Sequence, residues 1–207
     1  MTKINKKIIL ASASKRRAEI LLSCGIVHTI IPSGMDEIMD QTIPIKKIVL
    51  HNAKIKAEAV TKKVKNAVVI SADTLVTHDG EIIGKPKDER DAKRLLKKFS
   101  GENIEVFTAI YIVDVTTSKK SYGVTKSDVR VAKINDKNIN KIFPLLGPYD
   151  KAGGFSIEGA GSILFDDIRG SYFNILGLSM MALRRLFEKI GLDIIDFVTI
   201  PLQDKNS

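Results

Sequence analysis

The stretch Ile8-Ile9-Leu10-Ala11-Ser12-Ala13-Ser14-Lys15-Arg16-Arg17 begins as a short apolar run and ends in three cations. A run of that length suits a buried strand. Small residues then lead into a helix, for which Ser14 is a good N-cap because its hydroxyl accepts from a free backbone N–H. Ile20, Leu21 and Cys24 follow at helical spacing, and Gly25 suits the C′ stop. Cations are out of place in the first turn, where the positive end of the helix dipole lies and like charge costs about 0.3–1 kcal/mol per residue. Free N–H groups, the hydroxyls of Ser12 and Ser14, and the side chains of Arg16 and Arg17 together make an anion site, most naturally for phosphates. The plainer alternative is a solvated basic helix end with an ordinary cap. The rest of the chain is organised around this strand-to-helix passage.

At 207 residues the sequence is expected to form a single domain over 1–207, large enough for a real core, with a polar tail from about Gln203. Thirty-three basic against 24 acidic residues leave a net charge of +9, which suits nucleic acid or a phosphorylated small molecule. Aromatic residues make up only 6% and Trp is absent, so platforms for stacking bases are scarce and no stable nucleic-acid partner is expected. Cys24 is the single cysteine, which excludes a disulfide framework within the chain and fits a reducing cytoplasm. Lys3, Lys6 and Lys7 ahead of Ile8-Ile9-Leu10 resemble the start of a signal peptide, but the apolar core falls far short of roughly 7–15 residues. No apolar run approaches the roughly 20 residues of a membrane span, so no membrane partner is expected.

Along the chain, Val27 to Ile31 reads as a strand, and Asp36, Glu37 and Asp40 form an acidic loop after Pro32-Ser33-Gly34. Such a loop is either solvated or a holder of hard cations, which take oxygen ligands. Pro44 opens a helix to about Val64 with the stripe Ile45, Ile48, Val49, Ala53, Ala57, Val60 and Val64. Asn52 and Lys56 fall inside that stripe and Lys54 opposite to it. A lysine on a core-facing stripe needs an anionic partner, either a ligand in a cleft or a structural carboxylate. Ala67-Val68-Val69-Ile70 reads as a strand buried on both faces, ending in Ser71-Ala72-Asp73-Thr74. Ligands bind at such strand ends in α/β sheets, so Asp73 is a candidate base or metal ligand, the alternative being a turn cap.

Leu75-Val76, the turn Thr77-His78-Asp79-Gly80 and then Glu81-Ile82-Ile83 read as a hairpin, with Asp79-Gly80 as the turn signal. Lys85 sits on a stiff corner before Pro86. Asp88 caps a helix with the face Ala92, Leu95, Leu96 and Phe99, which stops near Gly101. Val106 to Val115 and Ser127 to Val131 read as long antiparallel strands joined near Thr116–Tyr122. Asn135 caps a helix to about Leu146, broken by Gly147-Pro148-Tyr149. A glycine-rich stretch, Asp150 to Gly161, lacks P-loop spacing. Ile163-Leu164-Phe165 reads as a strand, Gly170 to Gly177 as a turn, and Ser179 to Ile190 as a last helix. His28, His51 and His78 show no ligand spacing, and no G-x-S-x-G elbow is present, so neither a zinc site nor a serine hydrolase is expected.

These stretches stand in a recognisable order. Leu10-Ala11-Ser12-x-Ser14-x-Arg16-Arg17-x-Glu19-Ile20-Leu21 resembles the N-terminal signature of the Maf family of nucleotide pyrophosphatases. Ala72-Asp73-Thr74-x-Val76 looks like its central motif, followed by Lys85-Pro86. Ser100-Gly101, Val106-x-Thr108-Ala109, Asp150-Lys151-Ala152-Gly153, Gly170-Ser171-Tyr172-x-Asn174 and Gly177-Leu178 also match, so the resemblance runs from about residue 8 to 190.

The resemblance implies an α/β fold like that of the inosine triphosphate pyrophosphatases, with an elongated mixed sheet flanked by helices and two lobes around a central cleft. It implies hydrolysis of nucleoside triphosphates to the monophosphate and diphosphate, with Mg²⁺ or Mn²⁺, in a cytoplasmic homodimer. Carried over by motif, Asp73 is the catalytic carboxylate. Ser12, Ser14, Arg16, Arg17, Lys56, Thr74, Lys85 and Glu158 line the substrate site, and Glu37 joins Asp73 at the metal. Arg16 is the expected substrate contact, Arg17 a brace for the loop or a carboxylate, and Lys15 a solvated lysine. One departure stands out: the branch acting on thymidine and uridine triphosphates usually has Gln where this chain has Glu158. Glutamine donates and accepts, whereas ionised glutamate only accepts. A second branch, acting on methylated guanine nucleotides, often has an acidic residue near that position, whereas Arg16-Arg17 and Ala72-Asp73-Thr74 look like the first. Non-standard or modified nucleotides are therefore among the expected substrates. The rival reading is a nucleotide- or nucleic-acid-binding regulator of cell division without turnover.

Overall fold

The computed structural model describes residues 6–146, 153–154 and 157–199, save for the side chains of Asp136 and Leu145. The expected break at Gly147–Tyr149, the start of the glycine-rich stretch (Asp150 included) and the tail from Gln203 lie outside the described residues.

The opening apolar run is β1 (Lys7–Leu10), and the basic helix is α1 (Lys15–Ser23). Ser14 caps α1 by accepting from the Arg17 amide. β2 (His28–Ile30) and β3 (Ala67–His78) lie parallel to β1 on its two sides. The long helix α2 (Ile45–Thr61) connects them. β3 then pairs antiparallel with the short β4 (Glu81–Ile83) and with β5 (Asn103–Asp114). β5 pairs with β6 (Lys120–Val131), and β6 with β7 (Phe165–Arg169). The result is a seven-stranded mixed sheet in the order β2-β1-β3-β5-β6-β7, with β4 beside β3.

Side-chain alternation sorts the core onto two faces. Ile8, Leu10, Val68, Ile70 and Ala72 pack with α1, with α3 (Glu89–Phe99) and with α6 (Met180–Lys189). Ile9, Ala11, Val69 and Leu75 pack under Ile48, Val49, Ala53 and Val60 of α2 on the other face. β1 thus stands where the chain order reverses, with one crossover helix on each side. Such a switch point opens a crevice at the ends of the strands. Asp88 and Asn135 cap α3 and α4 (Asp136–Ile142) as their sequence positions predict. No helix among the described residues is long and apolar enough to cross a membrane.

Several expectations change, among them the start of β6, at Lys120 where Ser127 was expected. β3 does not end at Ile70: its pairing with β1 stops there, but β5 carries the strand on to His78, so Asp73 and Thr74 lie inside it. The polar residues that read as the strand's end face helices and adjacent strands. Ser71 Oγ, for example, donates to the Ala53 carbonyl of α2 at 2.6 Å. Ile163 and Leu164 belong to a 3₁₀ segment (Gly159–Leu164), and the strand begins at Phe165. Within the expected Gly170–Gly177 turn, Ser171 caps a one-turn helix, α5 (Tyr172–Ile175). The β3–β4 hairpin is present with a shorter turn than expected: Thr77 and His78 pair with β4, and Asp79 (φ 51°) and Gly80 (φ 79°) form a two-residue loop with both φ angles positive.

The end of β5 is tied down by charge. Asp114 is buried and accepts from Lys6 Nζ at 2.6 Å, Thr117 Oγ1 at 2.8 Å and the Thr116 amide at 3.1 Å. Burial acts to raise this carboxyl, but its hydrogen bonds to Lys6, Thr117 and Thr116 hold it below the usual carboxylate range. A carboxyl depressed on folding stabilises above its unfolded pKa and loses that contribution as pH falls through the folded value. Asp114→Ala is therefore expected to lower stability by about 1.5–3 kcal/mol at neutral pH. The gap to the native chain should close as pH drops below about 4. Urea unfolding at neutral and acid pH measures both, and a pH-independent gap would refute the ionic tie.

Candidate active site

The site grows from α2. Its buried stripe includes two polar side chains one turn apart, Asn52 (0% exposed) and Lys56 (6%). Residues at i and i+4 share a helix face, so both point at the sheet. Directly opposite is Asp73, 2% exposed, on the α2 side of β3. Lys56 Nζ donates to Asp73 Oδ1 at 2.7 Å, and Asn52 Nδ2 to Asp73 Oδ2 at 3.0 Å. Lys56 Nζ also reaches Glu37 Oε1 at 2.5 Å, so two carboxylates flank one ammonium. The lysine inside the stripe has its anionic partner, and that partner is the carboxylate singled out in the sequence. Burial acts to raise the Glu37 carboxyl, but hydrogen bonding and attraction from Lys56, with attraction from Arg17 and Lys85, hold it below its ordinary value. Lys85 is exposed on its corner, close enough to act on Glu37.

The next residue of β3, Thr74, points to the opposite face and meets α1. Arg17 is 9% exposed, and its guanidinium donates to Thr74 Oγ1 at 3.0 Å, Ser12 Oγ at 3.0 Å and the Gly177 carbonyl at 2.9 Å. Through Ser12 it braces the loop between β1 and α1, one of the two roles expected for it, and its other partners are a hydroxyl and a carbonyl. Gly177 has φ +99°, and a Cβ there would stand 3.2 Å from Thr74 Oγ1 and 3.4 Å from Arg17 Nε, so only glycine brings its carbonyl this close. Burial lowers the Arg17 guanidinium from its ordinary value, and attraction from Asp73 and Glu37 offsets only part of that. Thr108 Oγ1 shares a hydrogen bond with Thr74 Oγ1 at 2.9 Å and donates to the Asn174 carbonyl, which locks this side.

Ser12 and Ser14 stand at the start of α1, and the Ser14 amide donates to Ser12 Oγ at 3.2 Å. Arg16 Nε pairs with Glu158 Oε2 at 2.7 Å, joining the helix start to the 3₁₀ segment that Glu158 precedes. Lys15 is exposed, as expected. The structure thus joins Asp73, Lys56 and Glu37 in one cluster, Arg17, Ser12 and Thr74 in a second, and Arg16 with Glu158 in a third. Asp166 and Asp167 lie on β7 at the sheet edge, away from Asp73. The sequence placed Asn52 in the stripe without a role. An amide one turn before a core-facing lysine was the available signal.

The donor set bears on a metal. Mg²⁺ keeps several waters and binds through one or two carboxylates plus substrate phosphates. Asp73 and Glu37, both within reach of the same nitrogen, fit that chemistry. Among the described residues there is no group of three or more His, Cys, Asp or Glu that could hold a metal, so water and phosphate oxygens would complete the shell.

Fold and site together define an α/β protein with a buried, ammonium-flanked carboxylate beside a cationic helix start. The family model described as Maf-like protein matches residues 7–190, and the chain belongs to that family. It is 37% identical over 193 residues to a dTTP/UTP pyrophosphatase of Caldicellulosiruptor saccharolyticus, covering 91% of this chain and 97% of the relative. It is 38% identical over 182 residues to a protein of the same name from Clostridioides difficile, covering 88% and 94%. A solved nucleoside-triphosphatase / dITP/XTP pyrophosphatase from Mycobacterium abscessus aligns with a TM-score of 0.40 and 10% identity, over 88% of this chain and 93% of that one.

Removing one partner of a buried ion pair strands the other, at a cost of about 3–5 kcal/mol. Lys56→Met is expected to destabilise on that scale, and adding Asp73→Asn should restore part of the loss. Urea titrations of the native chain, both single variants and the double variant provide the check. Strict additivity would show that the two side chains are not coupled.

Proposed function

We propose that this chain hydrolyses nucleoside triphosphates to the monophosphate and diphosphate, with Asp73 as the catalytic carboxylate. The observation that carries the reading is a nearly fully buried carboxylate held between Lys56 and Asn52, next to a helix start carrying Ser12, Ser14, Arg16 and Arg17. The triphosphate lies over that helix start, where free N–H groups and cations favour anions. Arg16 and Lys85, both at the surface of the cleft, neutralise phosphate charge, and Arg17 and Thr74 fix the floor beneath it. Each Asp73 oxygen has a lone pair beyond those used by Lys56 and Asn52, which lets it accept a proton from water. The water oxygen bonds to the α-phosphorus, the bridging bond to the β-phosphate breaks, and diphosphate leaves. Mg²⁺ or Mn²⁺ on Asp73 and Glu37 would supply charge neutralisation and a more acidic water. Phosphoryl chemistry is mostly positioning and charge neutralisation, so one base among several cations suffices.

The relatives' names make dTTP and UTP the first substrates to assay. Glu158, paired with Arg16, is where this chain departs from the usual glutamine, and that supports including non-standard and modified nucleotides. A cytoplasmic homodimer belongs to the same reading, and sedimentation tests the dimer.

The deciding experiment is diphosphate release across canonical and modified nucleotides, with Mg²⁺ and with Mn²⁺. Nucleotide binding with no release from any of them would point instead to a regulator without turnover. Asp73→Asn should lose at least about 10²-fold in kcat, the scale of acid–base contributions, and near-normal turnover would remove Asp73 from the chemistry. Arg16→Ala should act mainly on KM, and Glu158→Gln should reorder the nucleotides by kcat/KM. An unchanged ranking would take Glu158 out of substrate selection.

A further inference from the structure

Asn52 is 0% exposed and uses its whole amide. Its Oδ1 accepts from the Ile38 amide at 3.0 Å, while Nδ2 donates to the Ile38 carbonyl at 3.1 Å and to Asp73 Oδ2 at 3.0 Å. The Ile38 contacts fix which end of the amide is which. Only an oxygen can accept from that N–H, and only the nitrogen can donate to that carbonyl. The nitrogen is therefore the end that faces Asp73, and both of its hydrogens are engaged. Ile38 follows Glu37 directly, and Glu37 reaches Lys56, one helical turn beyond Asn52. Two neighbouring side chains of α2 thus each hold both the acidic loop and Asp73.

We infer that Asn52 is a positioning residue: through its amide it seats the Glu37–Ile38 loop and the Asp73 carboxylate in one fixed relation. Asn52 has no hydrogen left for a substrate, so it acts on the geometry of the reacting carboxylate and not on phosphate binding. Lys56 alone leaves Asp73 free to turn about its Oδ1 contact. The second hydrogen bond, to Oδ2, fixes the carboxylate plane and so the direction in which a lone pair meets the attacking water. Small misplacements of a reacting group cost rate steeply, by up to about 10²-fold for roughly 1 Å. This inference rests on the pyrophosphatase reading.

The test uses the full chain and the native enzyme's best nucleotide. Asn52→Leu, of similar volume, should lower kcat by at least about tenfold with KM within about twofold. Exchange of the Ile38 amide hydrogen should be slow in the native chain and faster in the variant. Asn52→Asp keeps the acceptor for Ile38 but sets a carboxylate against Asp73. It should lose kcat at least as much, and it replaces the leucine variant if that one fails to fold. A purely structural role would lower the melting temperature and leave kcat per folded molecule unchanged, which would overturn the inference. So would a native Ile38 amide that exchanges at the rate of an open chain. A native chain that releases no diphosphate would instead overturn the pyrophosphatase reading, while Ile38 exchange still reports whether Asn52 holds the loop.

Discussion

The site depends on a charged pair taken out of water. Lys56 and Asp73 meet with side-chain exposures of 7% and 3%. Desolvating two ions costs several kcal/mol each, and their attraction offsets this only if their remaining hydrogen-bonding capacity is satisfied. Here much of it is: Lys56 spreads over two carboxylates, and Asp73 takes a second donor from Asn52. That arrangement requires α2 to lie flat on the sheet over β3. The apolar stripe around Asn52 and Lys56 secures it, with Ala53 and Ala57 small enough to bring the helix close. Stability and site geometry are therefore set by the same helix face.

β3 distributes the two halves of the candidate site. Successive residues of a strand point to opposite faces, so Asp73 faces α2 while Thr74 faces α1. The α2 half sets one ammonium, Lys56, against two carboxylates, Asp73 and Glu37. In the α1 half, Arg17 is buried against two hydroxyls and a carbonyl, with no carboxylate among these partners. A buried cation whose hydrogen-bond partners are neutral favours an anion nearby. A pair of carboxylates held by Lys56 beside the cations of the helix start fits the proposed reaction, which brings a polyanion to a base.

Much of this was legible locally. The Ser14, Asp88 and Asn135 caps, the Asp79-Gly80 turn and Lys56 in its stripe are signals contained within a few residues, and each appears in the structure. The errors share one cause. Ser71, Asp73 and Thr74 read as a strand end because polar residues are rare in buried strands, yet partners 17–57 residues away satisfy them. The length of β3 was set by β5, whose pairing no local pattern reports. Arg17 was hard to place for the same reason, because one of its acceptors is the carbonyl of Gly177, 160 residues on. The role of Asn52 depends on the backbone of Ile38, and no side-chain pattern marks a backbone partner.

The Arg16–Glu158 pair belongs to a different energetic class from Lys56–Asp73. Its side chains are 21% and 42% exposed, and such pairs contribute about 0–1 kcal/mol. On the proposed reading, a triphosphate would therefore draw Arg16 away from Glu158 at little cost, whereas Lys56 is held by two carboxylates. Glu158 would then present a carboxylate no longer engaged by Arg16. A glutamine there would hold Arg16 less tightly and would offer an incoming nucleotide a donor that glutamate lacks. The same substitution thus changes both how readily Arg16 is released and what Glu158 presents, two effects that separate into KM for the phosphates and preference among bases.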